Sequence, residues 1–95
     1  MESIHPHRSF FSQSRSEKLL AKGAKKASQG KWASSISYFK RVLSSRDSRE
    51  EDKQLATVNL QSAQAAKAAP LSDAQEVYLR TLQELSINLP LDLLV

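Results

Sequence analysis

Residues 23–43, GAKKASQGKWASSISYFKRVL, are the most informative stretch of this chain. They predict the end of one helix, a turn at Gly30 and a second helix from Lys31 or Trp32 to about Ser45, because glycine readily adopts the left-handed conformation that closes a helix. The large apolar residues of the second helix follow the i, i+4, i+7, i+11 spacing of one stripe: Trp32, Ile36, Phe39 and Leu43, with Tyr38 and Val42 to one side. The stretch therefore predicts the seam of a helical hairpin.

A first helix is predicted before this seam, over about residues 15–29. Ser14 and Glu17 have the spacing of a capping box, in which each side chain bonds the backbone amide of the other residue. A helical wheel then separates a buried face from a solvent face. The predicted buried residues are Leu20, Gly23, Ala24 and Ala27, and the predicted exposed residues are Lys18, Lys22 and Lys25.

A third helix is predicted after a polar linker, over about residues 49–68. Asp47 or Ser48 is the expected N-cap, and Pro70 ends the helix because the residue before a proline disfavours the helical conformation. Its apolar surface is wide enough for two neighbouring helices: Leu55, Val58, Ser62, Ala66 and Ala69 form one face, which Ala56, Leu60 and Ala63 extend.

A fourth helix is predicted from a second capping box, Ser72 with Gln75, to Leu85 or Ser86. Its apolar stripe is Ala74, Tyr78, Leu82 and Leu85. Ala and Leu abundance favours helix throughout, and β-branched residues are few. The predicted fold class is all-α, with three to four helices arranged as antiparallel helical hairpins in a stack or a small bundle.

The length and composition indicate one small domain. Ninety-five residues, 40% of them hydrophobic, leave a small core with much of the surface exposed. We divide the chain into a disordered N-terminal arm, 1–13, a helical domain, 14–87, and an apolar C-terminal tail, 88–95. The chain has no cysteine, which fits a reducing, cytoplasmic location. Residues 1–16 contain two Arg and a single acid, a faint likeness to an organelle transit segment, but we favour a disordered polar arm.

Charge is distributed unevenly along the chain. Residues 1–46 contain ten Lys and Arg but two acids, a net charge of +8, whereas residues 47–95 contain four Lys and Arg and eight acids, a net charge of −4. Such asymmetry suits an anionic partner for the first half, and it also suits attraction between the two halves or self-association. No apolar run approaches the roughly 18 residues that a membrane-spanning helix needs.

Catalysis and cofactor binding have little support in the sequence. His5 and His7 are the two histidines, and two ligands on a polar arm make a poor metal site. No serine lies in a nucleophile-elbow pattern and no glycine-rich phosphate loop is present. The acids at 50–52 are better explained by helix capping than by acid–base chemistry. We therefore predict a protein that is not an enzyme, with no cofactor and no metal.

The predicted hairpin resembles a tetratricopeptide repeat (TPR) over about residues 16–49. Positions typical of that repeat are occupied by a large apolar residue, a small packing residue, a turn glycine, an aromatic residue and closing apolar pairs: Leu19, Gly23, Gly30, Trp32, Ser35-Ile36, Tyr38-Phe39 and Val42-Leu43. The chain departs from the pattern at Lys22, Lys26, Ser35 and Asp47. The resemblance implies a helical scaffold that binds a peptide or helix of another protein.

A second resemblance is to the microtubule-interacting and trafficking (MIT) domain, a three-helix bundle. The residues that match its first two helices are Leu19-Leu20, Ala24, Ala27, Gly30, Trp32, Ile36, Phe39 and Leu43. This resemblance implies binding to helical tails of membrane-remodelling proteins. The linker and the fourth helix fit it poorly.

The sequence thus favours a non-enzymatic interaction module or small adaptor subunit, binding in the groove between the first and third helices or on the third. A basic first helix favours an acidic or helical segment of another protein, and self-association stays open. The alternative is a basic module that binds an anionic membrane or nucleic acid, although no aromatic residue alternates with the lysines to stack on bases. The candidate partner-binding residues are Lys18, Lys22, Lys25, Lys26, Trp32 and Asn59. Trp32, Tyr38 and Phe39 are expected mainly in the core, and Asn59 is also a candidate for a satisfied polar core residue.

Overall fold

The computed structural model describes residues 14–87 as four α-helices. Their bounds are α1 Arg15–Ser28, α2 Trp32–Ser44, α3 Glu50–Ala68 and α4 Ala74–Ser86. Within residues 14–87 there is no strand, and each helix agrees with its prediction to within one or two residues. The all-α fold is therefore confirmed. The predictions for the arm 1–13, with its two histidines, and for the tail 88–95 lie outside the described residues.

Consecutive helices pack against one another, which makes two hairpins. We call α1–α2 the first hairpin and α3–α4 the second hairpin. The two hairpins meet mainly where α2 packs on α3, and α1 also contacts α3. The prediction that the third helix has two neighbours is confirmed, because α3 lies against both α2 and α4.

The turn of the first hairpin is built as the sequence predicts. Gly30 has φ +75°, and its amide donates to the carbonyl of Ala27 at 3.0 Å. The amide of Lys31 donates to the carbonyl of Lys26 at 2.9 Å. These two bonds form the Schellman motif, which satisfies carbonyls at the end of α1 that would otherwise have no partner in the helix.

One of the predicted helix caps is present, and the others are corrected. The Ser14–Glu17 capping box is complete, with the Glu17 amide donating to Ser14 Oγ at 3.1 Å and the Ser14 amide donating to Glu17 Oε1 at 2.8 Å. By contrast, α3 begins after Arg49 and α4 begins after Asp73, and neither N-cap makes a side-chain capping bond. The predicted caps at Asp47 or Ser48 and the Ser72–Gln75 box are therefore wrong.

Tertiary contacts explain why two of these capping predictions fail. The hydroxyl of Ser48 is buried and donates to the carbonyl of Val42 at 2.7 Å, and it lies 2.6 Å from the hydroxyl of Ser16. Gln75 reaches across the molecule, where its Nε2 donates to the carbonyl of Ala27 at 2.7 Å. Both side chains thus bond distant parts of the fold rather than the start of their own helix.

The buried face of α1 is rotated from the predicted one. Ser16, Leu19, Gly23 and Ala27 are buried, whereas Leu20 is half-buried and Ala24 is exposed. This orientation of α1 brings Gly23 against the side chain of Phe39 on α2. A Cβ atom placed on Gly23 would lie 2.5 Å from Cε1 of Phe39, so the ring of Phe39 occupies the space that the glycine leaves.

The buried face of α2 is rotated in the same way. Trp32, Ser35, Phe39 and Val42 are buried, whereas Ile36, Tyr38 and Leu43 are half-buried. Ser35 is fully buried because its Oγ donates to the carbonyl of Gly23 at 2.8 Å. The i, i+3, i+7 and i+10 residues of α2 therefore form the inner face, in place of the predicted stripe through Ile36 and Leu43.

The second hairpin packs mainly through small residues. On α3 the buried residues are Asp52, Ala56, Val58, Ser62, Ala63 and Ala66, and the larger Leu55 and Leu60 are half-buried. On α4 Ala74 and Tyr78 are buried, and Leu82 and Leu85 are half-buried. The predicted α4 stripe thus has its buried half at the N-terminal end of the helix, which packs against the hairpin turn of α1–α2.

Candidate functional site

The structure places four of the predicted partner-binding residues on one helix. Lys18, Lys22, Lys25 and Lys26 all lie on α1, and we call them the lysine face. Lys18, Lys22 and Lys25 follow the i, i+4, i+7 spacing and are exposed, whereas Lys26 is half-buried. The buried face of α1 packs on α2, so the lysine face points away from the core and is accessible along about two turns of helix.

The lysine face makes no ion pair within residues 14–87. The ion pairs of this region involve Arg49, with Glu17, Glu51 and Asp52, and Arg80, with Glu76. The acid of α1, Glu17, is directed to Arg49 and to its own capping box, on the side of α1 that faces α3. The positive charge of the lysines is thus not neutralised by acids of the described fold.

Trp32 is buried and Asn59 is half-buried, and both contact Tyr78 of α4. Trp32 is 7% exposed, and its ring centroid lies 5.3 Å from that of Tyr78 at an interplanar angle of 43°. The hydroxyl of Tyr78 donates to Asn59 Oδ1 at 2.8 Å, and Asn59 Nδ2 donates to the carbonyl of Leu55 at 2.7 Å. Burial raises the pKa of the Tyr78 phenol. These contacts join α2, α3 and α4. Both polar atoms of the Asn59 side chain are hydrogen-bonded, as one of the two sequence interpretations of this residue expected.

The linker between the two hairpins is fixed against the start of α1. The Ser16–Ser48 contact is buried, and Arg49 bridges this point by donating to Glu17 Oε2 at 3.4 Å and to Asp52 Oδ2 at 3.4 Å. The hydrogen bond to Asp52 and its charge, followed by the charge of Glu51, raise the pKa of Arg49. The linker is therefore a defined part of the fold rather than a loose connection.

A second basic group lies at the end of the first hairpin, and sequence reasoning missed it. Arg15, Arg41 and Arg46 line a surface pocket together with Leu19, Ser44, Ser45 and Asp47. We call the three arginines and this depression the arginine pocket. The arginines come from the start of α1, the end of α2 and the linker. No regular spacing in the sequence therefore predicts that they line one pocket. The available signal was the basic composition of residues 1–46.

Residues 14–87 contain neither a metal-binding cluster nor a membrane-spanning helix. Within this range no group of three or more His, Asp or Glu side chains is arranged to hold a metal ion. No helix in the same range is long and apolar enough to cross a membrane.

Comparisons with known proteins add no further identification. The chain matches no protein-family model, no curated protein sequence and no solved structure.

Proposed function

We propose that this chain is a non-enzymatic protein-interaction module, a small adaptor subunit that binds an acidic segment of a partner protein along the lysine face. The observation that carries the proposal is the isolation of positive charge on α1. Lys18, Lys22 and Lys25 are exposed on one face, and no acid within residues 14–87 pairs with them. An acidic segment supplies the charge complementarity that steers and orients association.

The packing of the first hairpin supports a TPR-like scaffold for this role. Gly23 contacts Phe39, and Ser35 bonds to the carbonyl of Gly23, at positions where the resemblance expects small residues and an aromatic residue. The fourth helix packs into the core of the fold. This favours the TPR-like interpretation over the MIT-like interpretation, because the MIT domain has three helices. The integration of the fourth helix rests on the contact between Tyr78 and Trp32 and on the bond from Gln75 to Ala27.

The surface around the lysines favours a protein partner over a membrane. Within residues 14–87 the strongly exposed large apolar side chains are Leu71, Leu79 and Ile87. They lie before, within and after α4. None of these lies on α1, so a membrane drawn to the lysine face would gain no apolar insertion there.

The aromatic residues of the first hairpin favour a protein partner over nucleic acid. Trp32 is buried, and Tyr38 is half-buried with the Arg41 guanidinium carbon 5.3 Å from its ring centroid. Neither ring is free to stack on an unpaired base, which is the usual source of affinity for single strands. The proposal therefore places the contact on the lysine face rather than at Trp32 or Asn59.

Fluorescence anisotropy of the full chain tests the proposal with three labelled probes: a glutamate-rich peptide of twelve residues, double-stranded DNA and anionic phosphatidylserine vesicles. We expect the peptide to bind best and the double variant K18E/K22E to weaken peptide binding by about tenfold, equivalent to ~1.4 kcal/mol. The matched control is K40E/K67E. It makes the same charge change at two exposed lysines outside the lysine face, Lys40 on α2 and Lys67 on α3.

Two results would overturn the proposal. Equal losses in K18E/K22E and K40E/K67E would show that net charge, and not the lysine face, determines binding. Tighter binding of DNA or vesicles than of the peptide, lost steeply as salt rises, would assign the surface to phosphate backbones or lipid headgroups instead.

A further inference from the structure

We propose that the arginine pocket binds a phosphate monoester, supplied by a phosphoserine or phosphothreonine in the acidic segment of the partner. This inference rests on the proposed function and adds to it the chemical group that the partner presents. Arg15, Arg41 and Arg46 lie on three different elements and line the same depression. Guanidinium groups recognise phosphate through two parallel hydrogen bonds, which a single lysine ammonium does not provide.

Two of the arginines belong to ordered parts of the surface. The guanidinium carbon of Arg41 lies 5.3 Å from the ring centroid of Tyr38, a cation–π distance that restrains the side chain. Arg46 lies within a hydrogen-bonded turn, in which the Ser48 amide donates to the carbonyl of Ser45 at 3.4 Å. The buried hydroxyl of Ser48 ties this turn to the end of α2 and to α1. A site with restrained donors loses less conformational entropy when an anion binds.

The hydroxyl of Ser45 adds a neutral donor to the pocket. Its oxygen accepts a hydrogen bond from the Asp47 amide at 3.3 Å, and this contact does not use the hydroxyl proton. Ser45 is half-buried at the pocket wall, so its proton is available to a phosphate oxygen. The neighbouring Ser44 hydroxyl donates instead to the carbonyl of Arg41 at 3.2 Å.

The charge balance of the pocket suits a phosphate monoester. Three arginines and one acid, Asp47, line it, which leaves a net charge of +2. A phosphate monoester carries about −1.5 to −2 at neutral pH, so one such group balances the lining. The nearby carboxylate of Glu17 bonds Arg49 and caps α1, and it is not among the lining residues.

The position of the pocket favours a phosphorylated peptide over a lipid headgroup. Arg15, Lys18 and Lys22 follow the i, i+3, i+7 spacing, so the pocket opens at the N-terminal end of the lysine face. An extended acidic segment along the lysine face would therefore reach the pocket. The exposed apolar residues that membrane insertion needs lie around α4 instead.

The test uses the full chain and two degenerate, acid-rich peptide pools, one with a fixed phosphoserine and one with serine at that position. We expect the phosphorylated pool to be retained about tenfold better or more, since a hydrogen bond to a charged group is stronger than one between neutral groups. The variant R41Q/R46Q should reduce this preference to about one. The control K40Q/K67Q, which removes the same charge outside the pocket, should preserve it.

A second measurement keeps the result independent of the peptide pools. We expect O-phosphoserine, but not serine, to shift the NMR signals of the arginine Nε–H groups of wild-type protein, and not to do so in R41Q/R46Q. Far-UV circular dichroism of the variant should match that of the wild type, because both side chains are exposed. A loss of helix in R41Q/R46Q leaves the wild-type comparison of the two pools and of the two amino acids as the deciding data.

The outcomes separate this inference from the proposed function. Equal retention of both pools, with both lost in K18E/K22E, would overturn the phosphate pocket while the lysine face still binds acidic segments. Binding of inorganic phosphate or O-phosphoserine with no retention of either pool would overturn the phosphopeptide assignment and leave a simple anion site. Binding of vesicles containing phosphorylated inositol lipids in preference to the phosphorylated pool would assign the pocket to a lipid headgroup.

Discussion

The two hairpins of this protein are stabilised in different ways. In the first hairpin the helices meet at one glycine and one large ring, Gly23 against Phe39, and the turn closes with Gly30 in a left-handed conformation. In the second hairpin the buried face of α3 is mostly alanine and serine, and no side chain caps the start of either helix. The first hairpin therefore depends on a few specific contacts, whereas the second distributes its packing over many small ones.

The same contrast extends to charge. Residues 14–44 contain eight Lys and Arg and one acid, a net charge of +7, whereas residues 50–86 contain three Lys and Arg and six acids, a net charge of −3. Opposite signs favour the contact between the hairpins, and the surplus on α1 faces outward. The hairpin with the more specific packing is thus also the one that carries the candidate binding surface.

Truncation of Phe39 should have the largest effect. Phe39 is fully buried, so Phe39→Ala is expected to cost about 3 to 5 kcal/mol, the usual cost of removing a buried aromatic side chain. In the second hairpin Leu79 is 59% exposed, and Leu79→Ala should change stability by less than about 0.5 kcal/mol. Urea unfolding followed by circular dichroism measures both. A Phe39→Ala protein as stable as the wild type would contradict the assigned first hairpin.

Filling the space at Gly23 should have the next largest effect. Helix propensity alone favours Gly23→Ala by about 1 kcal/mol. However, the new Cβ would lie 2.5 to 2.9 Å from three ring atoms of the buried Phe39, so we expect a net loss of about 1 to 3 kcal/mol from overpacking. The sign of the change in unfolding free energy decides between the two effects.

The double variant G23A/F39L is the control for this prediction. A smaller side chain at position 39 makes room for the added methyl group, so the two losses should be less than additive. Strict additivity would show that Gly23 and Phe39 do not share the space that the structure gives them.

Removal of the Tyr78 hydroxyl tests the contact between α3 and α4 within the second hairpin. Tyr78→Phe should cost about 1 kcal/mol, because Asn59 Oδ1 loses its donor. The raised pKa of Tyr78 adds a pH signature. The unfolded phenol ionises near 10.0 while the folded phenol keeps its proton, so its contribution to stability is complete below that pH and is lost as pH rises through the folded value. Unfolding measured between pH 8 and 11 should show a smaller decrease for Tyr78→Phe than for the wild type.

The two serines of the predicted capping boxes, Ser14 before α1 and Ser72 before α4, should give the smallest difference. Ser14→Ala should cost about 1 kcal/mol, since it removes the cap of α1. Ser72→Ala should change stability by less than about 0.5 kcal/mol, because α4 begins without a side-chain capping bond. A comparison of the two unfolding midpoints checks both values. Equal losses of stability would show that Ser72 caps α4, contrary to the structure.

The success of the sequence predictions depended on the range of the interaction. The four helices, the Gly30 turn and the Ser14–Glu17 box follow from residues within one turn of each other, and all were predicted. The buried faces of α1 and α2 were each predicted with the wrong rotation, because hydrophobic periodicity gave no weight to Ser16 and Ser35. Both serines are buried through bonds to residues far along the chain, at Ser48 and at the Gly23 carbonyl.

The candidate site shows the same division. The lysine face was predicted because Lys18, Lys22 and Lys25 repeat along one helix, and helical geometry alone places them together. Trp32 and Asn59 were partner-binding candidates, and that role stays a prediction, since the structure gives both of them contacts within the core. The arginine pocket was missed because its three arginines meet only when the linker is fixed against α1.

The amino-acid sequence alone specifies the all-α class, the helix bounds to within one or two residues and the separation of charge between the two halves. These properties depend on backbone propensity, on capping and on composition, which act locally. The packing of the helices against one another sets which side of each helix is buried, which serines enter the core and which arginines line one pocket. Those properties depend on the contact of Gly23 with Phe39 and on buried hydroxyl contacts between distant residues, and no local pattern encodes them.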